Sequence, residues 1–451
     1  MEKHDRLKIW RLLFSGVFLL GTWTVGTAQE KLNISGYGNM HYMDHSGMPR
    51  FVAQKDLNNG FFQLREFSLF MDFAITDAVL ASMELEAGDN GNRYTANYAY
   101  VEAQATENLS FRVGKILVPF LSYNENKPNF RQNLMSQPFT AWNLAPVNGV
   151  AIDFRGFGWS DAGVVINGNT LLGDVGLLNL KVAVMNGLGS DSIVLDANTV
   201  TLDARVEMQM PGGGEMGGQM GGEMGGQMGE QMGGQTMMVH PTVRTRDGLI
   251  QNETNNDLMD NNNDKATAVR ATFKSLAFPL DVGISWYRGK WDPASSKNLQ
   301  MLGVHLNVLA MRWTLKGEYV TADIEQDAGV NPVAAAGLMG PAPINTTTGD
   351  YTMNAWYIEG SVVPARWPGD RFLRLVGRYD EVDTNDRAPF TPFDRGRITV
   401  GAEWQFAPDT RLRYEWQRTE LHDFANAPAP FRSAGGREIV KMNMASVIFA
   451  F

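Results

Sequence analysis

Cysteine is missing from all 451 residues of this chain. Its absence excludes disulfide bonds, thiolate metal sites and cysteine nucleophiles. Basic charge is also scarce, because 39 lysines and arginines stand against 49 aspartates and glutamates. The resulting net charge of −10 argues against a nucleic-acid partner, since contact with a phosphate backbone needs a net basic face.

Long apolar runs are equally rare. The run LLFSGVFLLG near the beginning of the chain is about half the roughly 20 residues that a membrane-spanning helix needs. It follows a stretch rich in lysine and arginine and precedes the small residues Gly26, Thr27 and Ala28. We therefore expect residues 1–28 to be a secretory signal peptide and residues 29–451 to form the mature domain.

Histidine, the most common general base in enzymes, is scarce. The six histidines include His4 in the expected signal peptide, and none falls in a recognisable Ser-His-acid arrangement. The sequence predicts neither an enzymatic activity nor a cofactor.

Alternation of apolar and polar residues dominates the rest of the chain. In FDRGRITVGAEWQFAP, residues such as Ile398 and Val400 fall on one face, and Arg397 and Glu403 fall on the other. Strands of a soluble sandwich are about five or six residues long, whereas this alternation often lasts ten or more residues. That is the length a tilted strand needs to cross a bilayer, so the pattern predicts a transmembrane β-barrel.

Short and long connections alternate along the chain. Tight links are predicted near residues 76–77, 106–108, 172–176, 277–280, 309–311, 364–370 and 408–410. Longer links are predicted at 45–59, 88–94, 119–158, 188–264, 290–297, 325–349, 384–393 and 422–436. Short periplasmic turns and long external loops are typical of outer-membrane barrels, and this count predicts sixteen antiparallel strands. The strand-like segment 150–158 is assigned to the third external loop, because another spanning strand would break the alternation.

The final strand is REIVKMNMASVIFAF, with Val447, Phe449 and Phe451 on one face. A terminal phenylalanine after alternating apolar residues resembles the signal that the outer-membrane assembly machinery recognises. It adds to the prediction that the protein lies in the cell outer membrane, surrounded by lipid and lipopolysaccharide.

The stretch LSFRVGKILVPFLSYNENKPNFRQNLMSQPF resembles the phosphate-selective porin O and P family. The resemblance rests on Gly114, Lys115, Pro119 and Phe120, which match a strand end that leads into a long third loop. It implies a 16-stranded barrel, a homotrimer, and a third loop that folds inward to narrow the pore. Phosphate-selective members use arginine ladders and loop lysines, whereas this loop offers only Lys127 and Arg131.

The polar faces of the strands predict the lining of a pore. Acidic candidates lie on the second to fourth strands: Glu66, Asp72, Glu84, Glu86 and Glu102. Basic candidates lie mostly on later strands and in the third loop: Arg112, Lys115, Arg131, Arg374, Arg378, Arg395, Arg397, Arg411 and Arg413. The two sets either create a transverse field across a constriction or pair between neighbouring strands and stiffen the wall. Arg112 is the first constriction candidate, while Lys115 has the opposite strand parity unless the strand bends at Gly114.

A methionine repeat occupies residues 207–238. The repeated methionines are Met216, Met220, Met224, Met228 and Met232, separated by glycine, glutamine and glutamate. So much glycine predicts a disordered external loop. Thioethers favour Cu(I), so the repeat is either a copper-binding segment or a harmless product of repeat expansion.

The sequence as a whole predicts an outer-membrane porin for passive diffusion of small polar or anionic solutes. The alternative is a surface barrel whose methionine repeat binds copper, with the pore secondary.

Overall fold

The structure is a computed structural model that describes residues 31–46, 60–88, 93–126, 128–142, 159–188, 262–292, 294–325, 349–383, 386–387, 394–422 and 438–451. In these ranges it has sixteen strands. They are β1 (Leu32–Ser46), β2 (Phe61–Thr76), β3 (Val79–Gly88), β4 (Arg93–Thr106), β5 (Leu109–Leu117), β6 (Ser160–Leu172), β7 (Gly176–Met185), β8 (Ala266–Ser275), β9 (Leu280–Lys290), β10 (Asn298–Leu309), β11 (Trp313–Ile324), β12 (Tyr351–Trp367), β13 (Arg371–Asp383), β14 (Arg395–Ala407), β15 (Thr410–Leu421) and β16 (Glu438–Ala450).

Each strand pairs with its neighbours in chain order, and β1 also pairs with β16. The sheet is therefore a closed antiparallel barrel, as predicted. The seven tight links and eight longer connections also fall where the sequence placed them. Closure leaves no strand edge without a partner, which is the condition for a sheet in lipid.

The two faces of the barrel differ in polarity. Outward residues include exposed Val304, Ile358 and Val400, together with the aromatic residues Trp404 and Tyr414. Inward positions carry many polar or charged side chains, such as Glu403 and Glu415, which a soluble protein would place outside. A buried apolar cluster that includes Leu299, Met301 and Ala355 also lies inside the barrel. Among the residues with described structure, no helix is long and apolar enough to cross a membrane.

The third long connection enters the barrel. Its described part, residues 118–142 apart from 127, is called here the inward loop. It contains two short 3-10 turns, Asn124–Asn126 and Asn129–Arg131, and one helical turn, Phe139–Trp142. Apolar residues of the loop pack with inward residues of the wall, for example Phe120 and Leu121 with Met301. The inward course of this loop is confirmed, while segment 150–158 lies outside the described residues.

The seam between the first and last strands is continuous. The backbone N–H of Gly36 donates to the carbonyl of Phe451 at 2.9 Å, and the N–H of Phe451 donates back at 3.0 Å. Phe449 and Phe451 lie on the outer surface, with ring atoms that leave no room for a side chain at Gly36 or Gly38. Glycine at these two positions lets the last strand lie flat against the first.

Candidate functional site in the barrel lumen

Carboxylates of the barrel wall bind the backbone of the inward loop. Glu318 on β11 accepts the N–H groups of Ser122 and Tyr123 at 2.9 and 2.8 Å. Glu415 on β15 accepts the N–H groups of Met135 and Ser136 at 2.7 and 3.2 Å. Charged acceptors make stronger hydrogen bonds than neutral ones, so these two residues fix both ends of the loop.

Arginines of the wall bind the carbonyl groups of the same loop. Arg378 on β13 donates to the carbonyl of Ser136 at 2.9 Å, and Arg397 on β14 donates to that of Gln137. On β15, Arg411 donates to the carbonyl of Phe130 at 2.7 Å, and Arg413 donates to that of Gln132. The loop therefore lies along the wall formed by β13 to β15.

Beneath the loop, the arginines also pair with carboxylates of their own wall. Glu403 receives Arg413 at 2.6 Å and Arg374 at 2.8 Å. Asp380 receives Arg378 at 2.9 Å and Arg397 at 3.3 Å. Both carboxylates are fully buried, and a buried charge is tolerated only where it is paired and hydrogen-bonded.

Phe139 provides an aromatic anchor for the loop. The guanidinium groups of Arg395 and Arg397 lie 4.8 and 4.3 Å from its ring centroid. Cations at this distance from an aromatic face are attracted by the ring quadrupole. Arg395 and Arg397, predicted to line the pore, thus lie under the loop and contact it.

The beginning of the loop has its own ion pairs. Glu125 forms salt bridges with Lys181 on β7 and Arg270 on β8. Burial alone would raise the pKa of the Glu125 carboxyl, but these two cations and Arg112 hold that pKa below its ordinary value. Glu125 is therefore an anion at neutral pH and fastens the loop to a second part of the wall.

The predicted acidic residues lie inward on β2 to β4. Glu66 accepts a hydrogen bond from Tyr37, Glu86 from Asn97 at 2.7 Å, and Asp72 from Ser82 at 2.5 Å. Glu84 is buried on the same face. The fifth residue of the set, Glu102, lies at the margin of this group and pairs with Arg112 at 2.8 Å.

Arg112 and Lys115 lie on opposite faces of β5. Arg112 faces inward, but it is six residues before the loop and lies over the ring of Tyr100 at 4.9 Å. Lys115 pairs in register with Ala99 and Ala162. The residues that pair with Lys115 across the sheet face outward. Lys115 therefore also faces outward, although Gly114 before it has a positive φ of 137°. Lys115 is therefore not one of the side chains that line the lumen.

Arg131 lies on the inward loop, where its side chain is exposed and its guanidinium is 5.3 Å from the Phe130 ring centroid. Three acidic residues of this site escaped the sequence analysis: Glu359 and Asp380 of the wall, which bind the loop, and Glu125 of the loop itself, which binds the wall. Their strand parity or position marks them as polar, but nothing in the sequence indicates that these bonds join the wall to a loop folded inside the barrel.

The methionine repeat, including Met216, Met220, Met224, Met228 and Met232, lies outside the described residues, so its copper-binding role stays a prediction. Within the portion of the chain that the structure covers, no group of three His, Asp or Glu side chains is arranged to hold a metal ion.

No family model matches the sequence, and no curated protein matches it. The resemblance to the phosphate-selective porin O and P family therefore stays a prediction.

Solved structures do match. The chain is similar to an anion-selective porin from Comamonas acidovorans, with a TM-score of 0.53, 11% identity, and coverage of 93% of this chain and 99% of that one. It is also similar to the outer membrane channel DcaP of Acinetobacter baumannii, with a TM-score of 0.51, 11% identity, and coverage of 95% and 100%. At this identity the likeness is one of fold. The chain is a porin-like barrel of the outer membrane.

Proposed function

We propose that the protein is a passive porin for small polar solutes, with a preference for anions. The observation that carries the proposal is a division among the inward charges. Some are buried beneath the inward loop, and others keep contact with water. Only the second set acts on a diffusing solute, because a charge covered by protein and paired there contributes little to the field in the channel.

The water-accessible charges are mainly basic. The side chains of Arg112, Arg374 and Arg411 are 27%, 19% and 24% exposed. Those of Arg378 and Arg413, in contrast, are each 1% exposed. Arg131 on the loop and Lys274 on β8 are exposed as well. The inward carboxylates Glu102, Glu125 and Asp281 are 18–20% exposed, so basic groups outnumber acidic ones in the accessible set and give it its attraction for anions.

Diffusion through such a channel needs no chemical step. A small hydrophilic solute keeps most of its hydration, and the inward loop limits its size. The accessible arginines are spread over β5, β13 and β15 instead of forming a ladder along one line. This arrangement supports a general anion preference more than dedicated phosphate recognition.

The remaining sequence predictions complete this proposal. Residues 1–28 direct secretion and are removed, lipopolysaccharide contacts the outward face, and three copies of the barrel form a trimer. The anion selectivity named for the Comamonas acidovorans porin agrees with the proposed preference, although the likeness to that protein is one of fold.

Copper capture by the methionine repeat is a second candidate function, favoured by thioethers at every fourth residue from Met216 to Met232. Deleting residues 208–238 and measuring Cu(I) affinity tests it. An unchanged affinity would refute it.

The porin proposal is tested by planar-bilayer conductance and by the reversal potential in a KCl gradient. The wild-type protein should conduct and favour chloride. A double variant that carries Arg374→Gln and Arg411→Gln should move the reversal potential toward cation preference. The matched control carries Arg371→Gln and Arg418→Gln, which remove two outward arginines from the same two strands. If the wild-type protein shows no conductance, it is not a pore. If the reversal potential shifts equally in both variants, the water-accessible arginines do not determine the anion preference.

A further inference from the structure

Four methionines meet at the seam of the barrel. Met43 on β1, Met442 and Met444 on β16, and Met135 in the inward loop form one buried cluster, with 2–5% of each residue exposed. Met43 and Met444 are direct cross-strand partners. The backbone of Met135 is fixed beside them, since its N–H donates to Glu415 at 2.7 Å. Three separate parts of the chain thus bring four thioethers together.

The surroundings of this cluster are apolar at Phe61, which packs against it, and polar along β15. The inward positions next to it on β15 are Glu415 and Gln417, which pair in register with Met444 and Met442. Arg413, the next inward residue, is paired with Glu403 at 2.6 Å, which offsets its charge. Purely apolar packing is served equally well by leucine, whereas only methionine adds a soft, polarisable donor atom at each of the four positions.

His41 supplies an independent observation. It faces inward on β1, two residues before Met43, and its direct partner on β16 is Ser446. The residue is 3% exposed, and its Nε2 atom has no hydrogen-bond partner among the residues that the structure describes. A buried polar atom without a partner is costly to maintain, and an imidazole nitrogen is also a metal ligand.

We propose that Met43, Met135, Met442 and Met444, together with His41, form a binding site for a soft monovalent cation, Cu(I) or Ag(I). Thioethers are soft, uncharged ligands that select Cu(I) over hard cations such as Ca²⁺ and Mg²⁺. The carboxylate of Glu415 is already engaged by the loop, so it is not available to attract a hard ion. The site is separate from the methionine repeat and does not depend on the proposed porin function.

Occupancy would have a structural consequence. Met135 belongs to the inward loop, whereas Met43, Met442 and Met444 belong to the wall. A bound ion would therefore tie the loop directly to the seam, beside its existing bond to Glu415 on β15.

Silver ion, which needs no redox control, is the probe for the test. The full-length protein is folded in detergent with [methyl-¹³C]methionine, and Ag⁺ is added while methyl resonances are followed by NMR. The resonances are assigned with single Met→Leu variants, which are close to isosteric. We expect the four cluster resonances to shift together at one equivalent of Ag⁺ per chain.

Variants give the quantitative readout. Met444→Leu should weaken the Ag⁺ affinity read from the remaining cluster resonances by about tenfold or more, because loss of even an outer partner of a metal ligand costs about 10–100-fold in affinity. Reading the affinity at these resonances separates the cluster from the methionine repeat. Met301→Leu is the matched control, since Met301 is a buried inward methionine on β10 that belongs to a different apolar cluster. If Met444→Leu does not fold, Met43→Leu removes the facing thioether. Shifts confined to other methionines, or unchanged affinity in the cluster variant, would overturn the proposal.

Discussion

At the scale of single residues, the lumen shows how a barrel accommodates charges that do not face water. Glu318 and Glu415 are 3% and 1% exposed, a burial that is costly for a carboxylate without partners. Each is satisfied by main-chain N–H groups of a loop that lies far away in sequence. Burial thus separates the roles of inward charges: exposed ones contact solute, whereas buried ones attach the loop, as Glu318 and Glu415 do, or pair within the wall, as Glu86 does.

Glu125 provides a pH-dependent example of attachment. Its pKa is lower in the folded protein than the ordinary value of 4.5, so its contribution to stability is present above about pH 4.5 and is lost as the pH falls through the folded value. Glu125→Gln should therefore lower the denaturant midpoint at pH 7, and the difference from wild type should shrink in acid. Denaturant unfolding between pH 3 and pH 7 measures both effects.

The control for this experiment is Glu107→Gln, which removes an exposed carboxylate from the turn between β4 and β5. It should leave the midpoint close to wild type across the same range. A difference between wild type and Glu125→Gln that grows in acid would contradict the sign argued for Glu125.

The sequence predicts which residues face inward but not which of them face water. The alternation of polar and apolar residues places Arg374 and Arg413 on the same face of the sheet, because successive side chains of a strand point to opposite faces. Their roles diverge because Arg413 lies under the loop and Arg374 lies at its edge. That distinction depends on contacts such as Arg413 with Gln132, 281 residues apart, for which the local sequence carries no signal.

At the scale of elements, the inward loop is held by side chains of the wall more than by its own secondary structure. Its regular parts are two 3-10 turns and one helical turn of three or four residues each. Segments this short are not stable alone. The loop is therefore only as rigid as its bonds to the wall, which reach from β7 and β8 through β11 to β13–β15.

Removal of one of these bonds should loosen the loop. Glu415→Leu deletes the acceptor of three donors of the loop, the N–H groups of Met135 and Ser136 and the hydroxyl of Ser136. Each buried donor left without a partner costs about 1–3 kcal/mol, which favours detachment. Single-channel recordings should show higher mean conductance and greater open-channel noise than wild type.

Thr314→Val is the matched control for the loop experiment. Thr314 also faces inward, but its hydroxyl bonds to Ser361 at 2.7 Å and not to the loop. Its conductance and noise should stay at the wild-type level. If Glu415→Leu behaves in the same way, Glu415 does not hold the loop.

The pattern of the sequence predicts the strands, whereas the inward course of the loop is implied only by the family resemblance. Alternation and turn residues located all fifteen connections, because both signals are local in sequence. The inward direction of the third loop was implied by the family resemblance at Gly114, Pro119 and Phe120. Many of the bonds that fix it join residues more than 150 positions apart, for example Leu121 and Ser285.

At the scale of the whole molecule, the barrel inverts the usual arrangement of polarity. Apolar side chains such as Val304 and Ile358 cover the outside, while ion pairs and hydrogen bonds fill much of the inside. The fold is stable in lipid because every strand is paired and the apolar band faces hydrocarbon. The inward loop then converts a wide cylinder into a restricted channel.

The depth of the apolar band gives the last prediction. Val304 lies near the middle of β10 and is 44% exposed on the outer face, whereas Leu309 ends the same strand at the periplasmic side and is 54% exposed. An arginine on the lipid face costs about 2–4 kcal/mol at the bilayer midplane and about 0–1 kcal/mol near the interface. Val304→Arg should therefore reduce the free energy of unfolding from lipid vesicles by about 3 kcal/mol, and Leu309→Arg by no more than about 1 kcal/mol. Because both variants add the same charge to the same strand, equal losses would show that β10 does not cross the bilayer with Val304 at its centre.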